Sequence, residues 1–260
     1  MKKLLSVLLV ALVIGVSCQN ETLNSLENQI KTELTSNKGT KSSSMTNYRS
    51  ANPFDFVGEE HNEYLTNFYI QEYSPKPTAK GMEVFLKEIG FNGFQEIYPL
   101  RELAIDRTLS VDSYIDQNNY FSLAVKSYAH EIIAMIGDDN ALDELVLAVL
   151  NDRNLKQFEK EALLQSIAVA KHSAHYWVEN LENWISGGEP VWPMQNYVAI
   201  DASAALGIAM SCSLGLATPP TGMTVAAFAA AGGATASIAA AIVDGVTFVV
   251  GEVGNNTGWW

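Results

Sequence analysis

The chain has 260 residues, of which 48% are hydrophobic and 10% aromatic, and its formal net charge at neutral pH is -13. This hydrophobic content excludes a globally disordered chain, and the length suffices for one or two domains with a sizeable core. An excess of acidic side chains repels phosphate backbones, so the composition also argues against nucleic acid as a partner.

Residues 1–17 have the layout of a secretory signal peptide. A positive start at Lys2 and Lys3 precedes the apolar run 4–16, which is too short for a membrane span because a spanning helix needs roughly 20 residues. Residues 15–18, Gly-Val-Ser-Cys, resemble a lipobox with glycine where leucine is usual. We therefore expect a lipoprotein with a covalent lipid such as palmitate on Cys18 and no other cofactor. The alternatives are an ordinary cleaved signal and a retained anchor.

The lipid on Cys18 decides the role of the second cysteine. With Cys18 modified, the chain has only Cys212 left, so no disulfide within the chain is expected. Cys212 lies among alanine, glycine and serine and is predicted to be a small buried apolar residue. A nucleophilic role would require a nearby base, and no histidine follows His175 in the sequence. Loss of residues 1–17 would leave an exported, acidic chain with net charge -15.

Residues 18–52 are predicted to be a tether that holds the body off a membrane, at the outer membrane or the cell surface. The segment contains one weak helix, and residues 37–44 have the composition of a flexible spacer. Its single apolar stripe consists of Leu23, Leu26, Ile30 and Leu34.

The folded part opens with residues 52–62, Asn-Pro-Phe-Asp-Phe-Val-Gly-Glu-Glu-His-Asn, in which Asp55 suits a helix N-terminus. This segment, residues 173–177 (Ser-Ala-His-Tyr-Trp) and the Asp201-Ala202 pair before an Ala/Gly-rich tail resemble a group of exported proteins and lipoproteins of Bacteroidota-type bacteria with no assigned activity. The resemblance implies a helical fold and export, and it supplies no mechanism.

Domain 53–188 is predicted to be an all-α bundle of about five helices, because no strand-like alternation of useful length occurs in it. Prolines at 75 and 77 break the chain, a short helix follows to residue 89, and residues 91–109 predict turns with a short helix. Helices are then predicted over 111–136, 141–151 and 155–185, with a glycine and an aspartate between the first two. The last is the longest predicted helix and carries a heptad-like stripe for packing on another helix: Leu163, Ile167, Ala170, Ala174, Trp177, Leu181 and Trp184.

The four histidines are the weak candidates for a metal site: His61, His130, His172 and His175. A helical bundle with acidic neighbours supplies zinc or di-metal ligand types, but no His-Glu-x-x-His or Glu-x-x-His spacing is present. We expect His61 and His130 to be core or boundary residues and His172 to be solvated, opposite the Trp177 side of its helix. No catalytic residue is assigned.

The tail, residues 189–260, contains 42 consecutive residues without charge, 202–243, of which 15 are alanine and five are glycine. A proline pair at 219 and 220 divides this run into two helical arms, so the sequence predicts an Ala/Gly-rich helical hairpin. Small residues recur every four positions and predict close helix contacts: Gly207, Ser211 and Gly215 in the first arm, and Gly233, Ser237, Ala241 and Gly245 in the second.

Two environments suit such a hairpin. It either packs against the helical body or inserts into a membrane, and a disordered or cleaved tail is a third reading. The first environment predicts a non-enzymatic surface lipoprotein whose body binds an unidentified protein partner. The second predicts a membrane-active tail, similar in composition to Gly/Ala-rich bacteriocins, carried by an acidic body. A metal-binding bundle is the remaining alternative.

Overall fold

The computed structural model describes residues 51–72, 79–90, 110–184 and 192–257. The expectations for the signal peptide, Cys18, the tether, the break at 74–77 and residues 91–109 lie outside these ranges. The described chain forms helices and no strand, which confirms the predicted all-α bundle. The helices are α1 (Asp55–Glu72), α2 (Ala79–Glu88), α3 (Val111–Gln117), α4 (Leu123–Ala134), α5 (Asp139–Asn151), α6 (Gln157–Trp184), α7 (Met194–Ser213) and α8 (Val225–Thr257).

The predicted single helix over 111–136 is wrong, because the chain breaks after Gln117. Asn118 has extended backbone angles (φ -71°, ψ 111°), and its side-chain Oδ1 accepts a hydrogen bond from the backbone N–H of Tyr120 at 3.2 Å. Ser122 then caps the next helix by accepting from Val125 N at 3.3 Å. Asparagine and serine compete with the helix for backbone partners, so two short helices replace one long one.

Four helices, α1, α6, α7 and α8, form the central bundle, and each packs against the next around the ring. Helix α2 lies against α1 and α8, whereas α3, α4 and α5 cover the side formed by α6 and α7. The C-terminal hairpin of α7 and α8 therefore supplies half of the central bundle.

Helix α6 fits the predicted stripe, since all seven stripe residues are buried. It is not the longest helix, because α8 has 33 residues and α6 has 28. Helix α7 is buried on every side: each residue from 197 to 211 is shielded from solvent. A surface helix buries one face only, so full burial identifies α7 as the innermost element.

The directions of the helices follow from individual contacts. Helix α1 runs parallel to α6, because Gly58 lies beside Ala168 and Phe68 stacks on Trp184. Helix α7 runs antiparallel to α6, because Ser166 donates to the carbonyl oxygen of Ala202 and the ring of Trp177 packs on Tyr197. The first turn of α1 and the last turn of α7 therefore point towards the same end of the bundle.

Candidate functional site

The carboxylate of Asp201 lies at the centre of the bundle and exposes no surface to solvent. Its Oδ2 accepts a hydrogen bond of 2.6 Å from the Ser173 hydroxyl and one of 3.0 Å from the Trp177 indole N–H. Both donors belong to α6, on the stripe side that faces α7. A buried carboxylate is tolerated only when donors replace the lost water, and α6 supplies two of them.

His61 of α1 approaches the same carboxylate from the other side. Its Nε2 lies 3.2 Å from Asp201 Oδ2, and both side chains are fully buried. The approach is within ion-pair distance but outside hydrogen-bond geometry, so His61 Nε2 and Asp201 Oδ1 have no hydrogen-bond partner among the described atoms. The pair therefore places a ring nitrogen of α1 against a carboxylate of α7.

A neighbouring amide fixes the orientation of the His61 ring. Asn62 Nδ2 donates to the backbone oxygen of His172 at 2.9 Å, which turns its Oδ1 towards His61 Nδ1, also at 2.9 Å. Because an amide oxygen only accepts, Nδ1 carries the hydrogen of this bond. Asn62 thus holds the imidazole with Nε2 towards Asp201.

Helix α8 closes the site with glycine. A Cβ atom on Gly233 would lie 3.0 Å from the backbone oxygen of Asp201, 3.0 Å from His61 Cδ2 and 3.4 Å from Val169 Cγ1. The two separations of 3.0 Å are tighter than ordinary van der Waals contact, so a Cβ at this position would require its neighbours to move by a few tenths of an ångström. The absence of a side chain lets the α8 backbone seal the polar centre.

Aromatic rings form the remaining wall and exclude water. The Trp177 ring centroid lies 4.8 Å from that of Tyr197 and 5.3 Å from that of Trp184. Trp184 also donates its indole N–H to the Tyr176 hydroxyl at 3.1 Å. Burial is the main reason why the pKa of Tyr176 rises to about 12. The phenol therefore stays neutral, as a low-dielectric surrounding favours.

Three sequence segments converge on this site. Residues 55–62 contribute Asp55, Gly58, His61 and Asn62; residues 173–177 contribute Ser173 and Trp177; the third segment contributes Asp201. A Cβ on Gly58 would lie 2.4 Å from the Ala168 backbone oxygen, so this glycine brings α1 and α6 together. All three segments therefore contribute side chains to the polar centre or to the helix contact beside it.

The role of Asp201 is not predicted by the sequence pattern, in which this residue only borders the charge-free run. The available signal was its context: a single acidic residue at the start of an uncharged helix must be buried with that helix, and a buried acid needs donors. Which donors it meets depends on tertiary structure.

All four histidines pair with an aspartate on a different helix. The expectation of a core residue is confirmed for His61, and His130 occupies a boundary position. His172 is 24% exposed and lies 3.1 Å from Asp55 Oδ1, so the prediction that it is solvated is wrong. His175 is 66% exposed and lies 2.9 Å from Asp139 Oδ2. His130 lies 2.9 Å from Asp112 Oδ1 and 3.0 Å from Asp116 Oδ1.

These pairings do not gather a larger ligand set. Within the described ranges, no group of three or more His, Cys, Asp or Glu side chains is placed to hold a metal ion. Three of the imidazoles each lie against one carboxylate, His130 lies against two, and these contacts join separate helices. The histidines predicted as weak metal candidates therefore occupy separate helix–helix contacts.

The small residues of the hairpin have several different roles. Ser211, Ser237 and Ala241 are buried, and Gly233 makes the close contact described above. The packing role predicted for Gly215 is wrong, because it has a φ of +71° and a Cβ there would meet nothing within 4 Å. It ends α7. Gly245 lies outside the residues whose side-chain surroundings are described.

Two further close contacts belong to Gly207 and Gly232. A Cβ on Gly207 would overlap the hydroxyl of Tyr114 in α3, so this glycine packs against a short outer helix. Gly232 is not part of the four-residue pattern, but a Cβ at this position would lie 2.7 Å from Ile208 Cγ1 of α7. Cys212, predicted to be buried, is half-buried near the end of α7. That end of the helix emerges from the core.

Ser173, His61 and Asp201 are the residue types of an acyl-transfer triad, but their connections differ from one. In a triad the imidazole accepts the serine proton and the carboxylate orients the imidazole. Here the Ser173 hydroxyl donates directly to the Asp201 carboxylate. The nearby His61 Nε2 makes no hydrogen bond. The arrangement holds three helices together and has no solvent-exposed member.

No protein-family model, no curated protein and no solved structure matches this chain. The arrangement of the residues themselves therefore carries the functional argument.

Proposed function

We propose that the chain is an exported lipoprotein, anchored through Cys18, whose helical body is a non-enzymatic scaffold for an unidentified protein partner at the cell surface. In this function the Ala/Gly-rich arms are the interior of the scaffold. The observation that carries the proposal is the burial of Asp201 with donors from α6 and the close approach of His61 from α1.

Release of the arms would break these connections. Moving α7 out of the bundle would expose the buried faces of α1 and α6 and would leave Ser173, Trp177 and His61 without their carboxylate. Each buried donor left without its acceptor typically costs ~1–3 kcal/mol, and the aromatic wall would add the cost of exposing apolar surface. These buried contacts therefore oppose release of the tail from the bundle.

A membrane-active tail is the second candidate function. It is favoured by the composition of Val225–Ile242, which is long and apolar enough to cross a membrane. In this fold, however, 83% of that segment is buried inside the protein. Core helices of globular proteins have the same composition, so the packing of the arms supports the scaffold over the effector.

The partner-binding part of the proposal is supported by apolar side chains on the outside of the central bundle. Ile70 of α1 is 72% exposed and Val178 of α6 is 70% exposed. A photo-crosslinking amino acid at position 178 in the intact cell should give one discrete protein adduct. The same amino acid at position 123 of α4, where Leu123 is 87% exposed, serves as the positional control. Equal labelling at both positions would argue for non-specific contact.

Two experiments test the anchor and the role of the arms. Cells fed an alkyne analogue of palmitate should label the wild-type chain and not a Cys18→Ala variant; equal labelling would exclude Cys18 as the lipid site. In the second experiment, the purified full chain should leave dye inside vesicles of phosphatidylethanolamine with a minor share of phosphatidylglycerol. Rapid dye release by the folded chain would support the membrane-active tail instead.

A further inference from the structure

The turn between α7 and α8 has a defined shape that keeps apolar side chains on the outside. The N–H of Leu216 donates to the Ser211 carbonyl at 2.8 Å, and the N–H of Gly215 donates to the Cys212 carbonyl at 3.0 Å. With Gly215 at a φ of +71°, these two bonds form a Schellman motif. The motif ends α7 and directs the chain that follows.

The apolar residues of this turn lack the cover that the motif usually provides. In a Schellman motif the residue after the glycine commonly packs back on the last turn of the helix. Leu216 occupies that position and is nevertheless 63% exposed, and Leu214 is 42% exposed. Every residue from 213 to 224 is at least partly exposed. The backbone N–H groups of Gly215 and Leu216 are hydrogen-bonded, while the side chains of Leu214 and Leu216 are exposed to solvent.

We propose that residues 214–223, hereafter the hairpin tip, are a membrane-contact element that rests in the lipid surface to which Cys18 anchors the chain. The inference rests on the proposed lipidation of Cys18. Its occupant is the surface of a bilayer, into which the two leucines insert to a shallow depth while the helical arms stay in the bundle.

The chemistry of the hairpin tip favours lipid over a protein partner. No charged residue occurs between 202 and 243, and no aromatic residue or arginine lies in the hairpin tip. Protein interfaces rely on such residues for their strongest contacts and need roughly 1,000 Å² of buried surface. The two exposed leucines, with two prolines and a methionine that are only partly exposed, supply too little area for that, but the leucines suit the interfacial zone of a bilayer.

The position of the hairpin tip agrees with the proposed anchor. The folded body begins at α1, and the first turn of α1 points to the same end of the bundle as the last turn of α7. A flexible chain as long as the predicted tether, 35 residues, has a root-mean-square span of ~30–35 Å. Anchoring within such a distance gives an effective concentration on the order of millimolar, so a weak contact becomes populated.

The test measures the depth of the hairpin tip on the lipidated full chain. A nitroxide label is placed at Leu216→Cys in a Cys212→Ser background, with the chain bound to vesicles of phosphatidylethanolamine and a minor share of phosphatidylglycerol. The control is the same label at Ile70→Cys, since Ile70 is 72% exposed near the C-terminal end of α1, at the opposite end of the bundle from the hairpin tip. We expect the label at 216 to collide with oxygen at least several-fold more, relative to a water-soluble nickel complex, than the label at 70.

Each other outcome overturns the inference. Equal ratios at the two positions would place the hairpin tip in water, and a label shielded from both reagents would indicate contact with a second protein copy. Mass spectrometry of residue 18 reports the anchor separately: a lipidated chain with a water-exposed tip refutes the inference alone, whereas an unmodified Cys18 refutes both proposals.

A second measurement avoids substitution in the hairpin tip. Hydrogen exchange of the native lipidated chain on the same vesicles should be slower at residues 214–223 than in the soluble Cys18→Ala chain. Exchange at residues 135–138, another turn in which every residue is at least partly exposed, should not change. Identical exchange of the hairpin tip in the two forms would contradict the proposed membrane contact.

Discussion

His61 Nε2 lies 3.2 Å from Asp201 Oδ2, and neither side chain exposes any surface to solvent. The two residues belong to helices at opposite ends of the sequence, α1 and α7, so their approach links the start of the body to its C-terminal hairpin. The hydrogen bonds from Ser173 and Trp177 add α6 to the same carboxylate. Stability of the central bundle should therefore depend on Asp201 more than on any surface acid.

Asp201→Ala should lower the free energy of unfolding by ~3–5 kcal/mol, because it strands a buried imidazole and two buried donors. Asp201→Asn should cost less, since it retains one acceptor oxygen. The measurement is urea denaturation followed by circular dichroism. The control is Asp143→Ala, which removes the half-exposed partner of Lys171 and should cost at most ~1 kcal/mol. Equal costs for the two alanine variants would show that the buried centre is not a stabilising element.

A double-mutant cycle should reveal coupling between Ser173 and Asp201. Ser173→Ala alone should cost ~1–2 kcal/mol, and in the Asp201→Ala background this cost should fall by ~1 kcal/mol, because the acceptor has already gone. The control is Ser166→Ala, a buried serine of the same helix that donates to the Ala202 backbone oxygen. Its cost should be the same in both backgrounds. Additivity at Ser173 would mean that its bond to the carboxylate contributes nothing.

Much of the bundle can be predicted because helix periodicity and caps are local. The stripe on α6 and the boundary at 137–138 follow from spacing and from residue type: Asp138 caps α5 by accepting from Ala141 N at 3.1 Å. The break at Asn118 depends on one side chain turning back to its own backbone, and periodicity does not contain that information.

The polar centre is less predictable, because it depends on which helices meet. His61 was correctly expected in the core, but its spacing does not indicate Asp201 as its neighbour. Likewise the four-residue repeat identifies Gly233 as a packing residue, whereas Gly58 has no repeat around it. Its close contact with Ala168 arises from the crossing of α1 over α6, which is a property of the assembled fold.

Alanine substitutions at Gly58 and Gly233 should destabilise the protein to different extents. A helical Gly→Ala change gains ~1 kcal/mol of helix propensity, and this gain opposes the steric cost. At Gly58 the new Cβ would lie 2.4 Å from a backbone oxygen, so Gly58→Ala should still destabilise by ~1–3 kcal/mol. At Gly233 the nearest atoms are 3.0 Å away, and Gly233→Ala should cost less.

Thermal unfolding of the two variants and of Gly233→Leu checks this order. Gly233→Leu should have the lowest melting temperature of the three, because a leucine would enter the sealed polar centre. A Gly58→Ala protein that is more stable than the wild type would show that α1 and α6 are farther apart than described.

The contact of His130 with α3 should depend on pH. Its pKa is raised, chiefly by the hydrogen bond to Asp116 and further by that to Asp112, against the opposing effect of partial burial. A raised histidine pKa means that the stabilisation is fully present below the ordinary value of 6.5 and is lost as the pH rises through the folded-state value. His130→Ala should therefore cost more stability at about pH 6 than at about pH 9.

The size of this effect is limited by solvent, because His130 and both aspartates are at least 36% exposed. We expect a difference below ~1 kcal/mol between the two pH values, measured by urea denaturation of the wild type and His130→Ala. Glu131 of α4 and Lys126, which donates to the Asp116 backbone oxygen, are the neighbouring charges and are retained in all variants. In an Asp112→Asn, Asp116→Asn background the pH dependence of the His130→Ala cost should disappear. If it persisted, the cause would lie outside the α3–α4 contact.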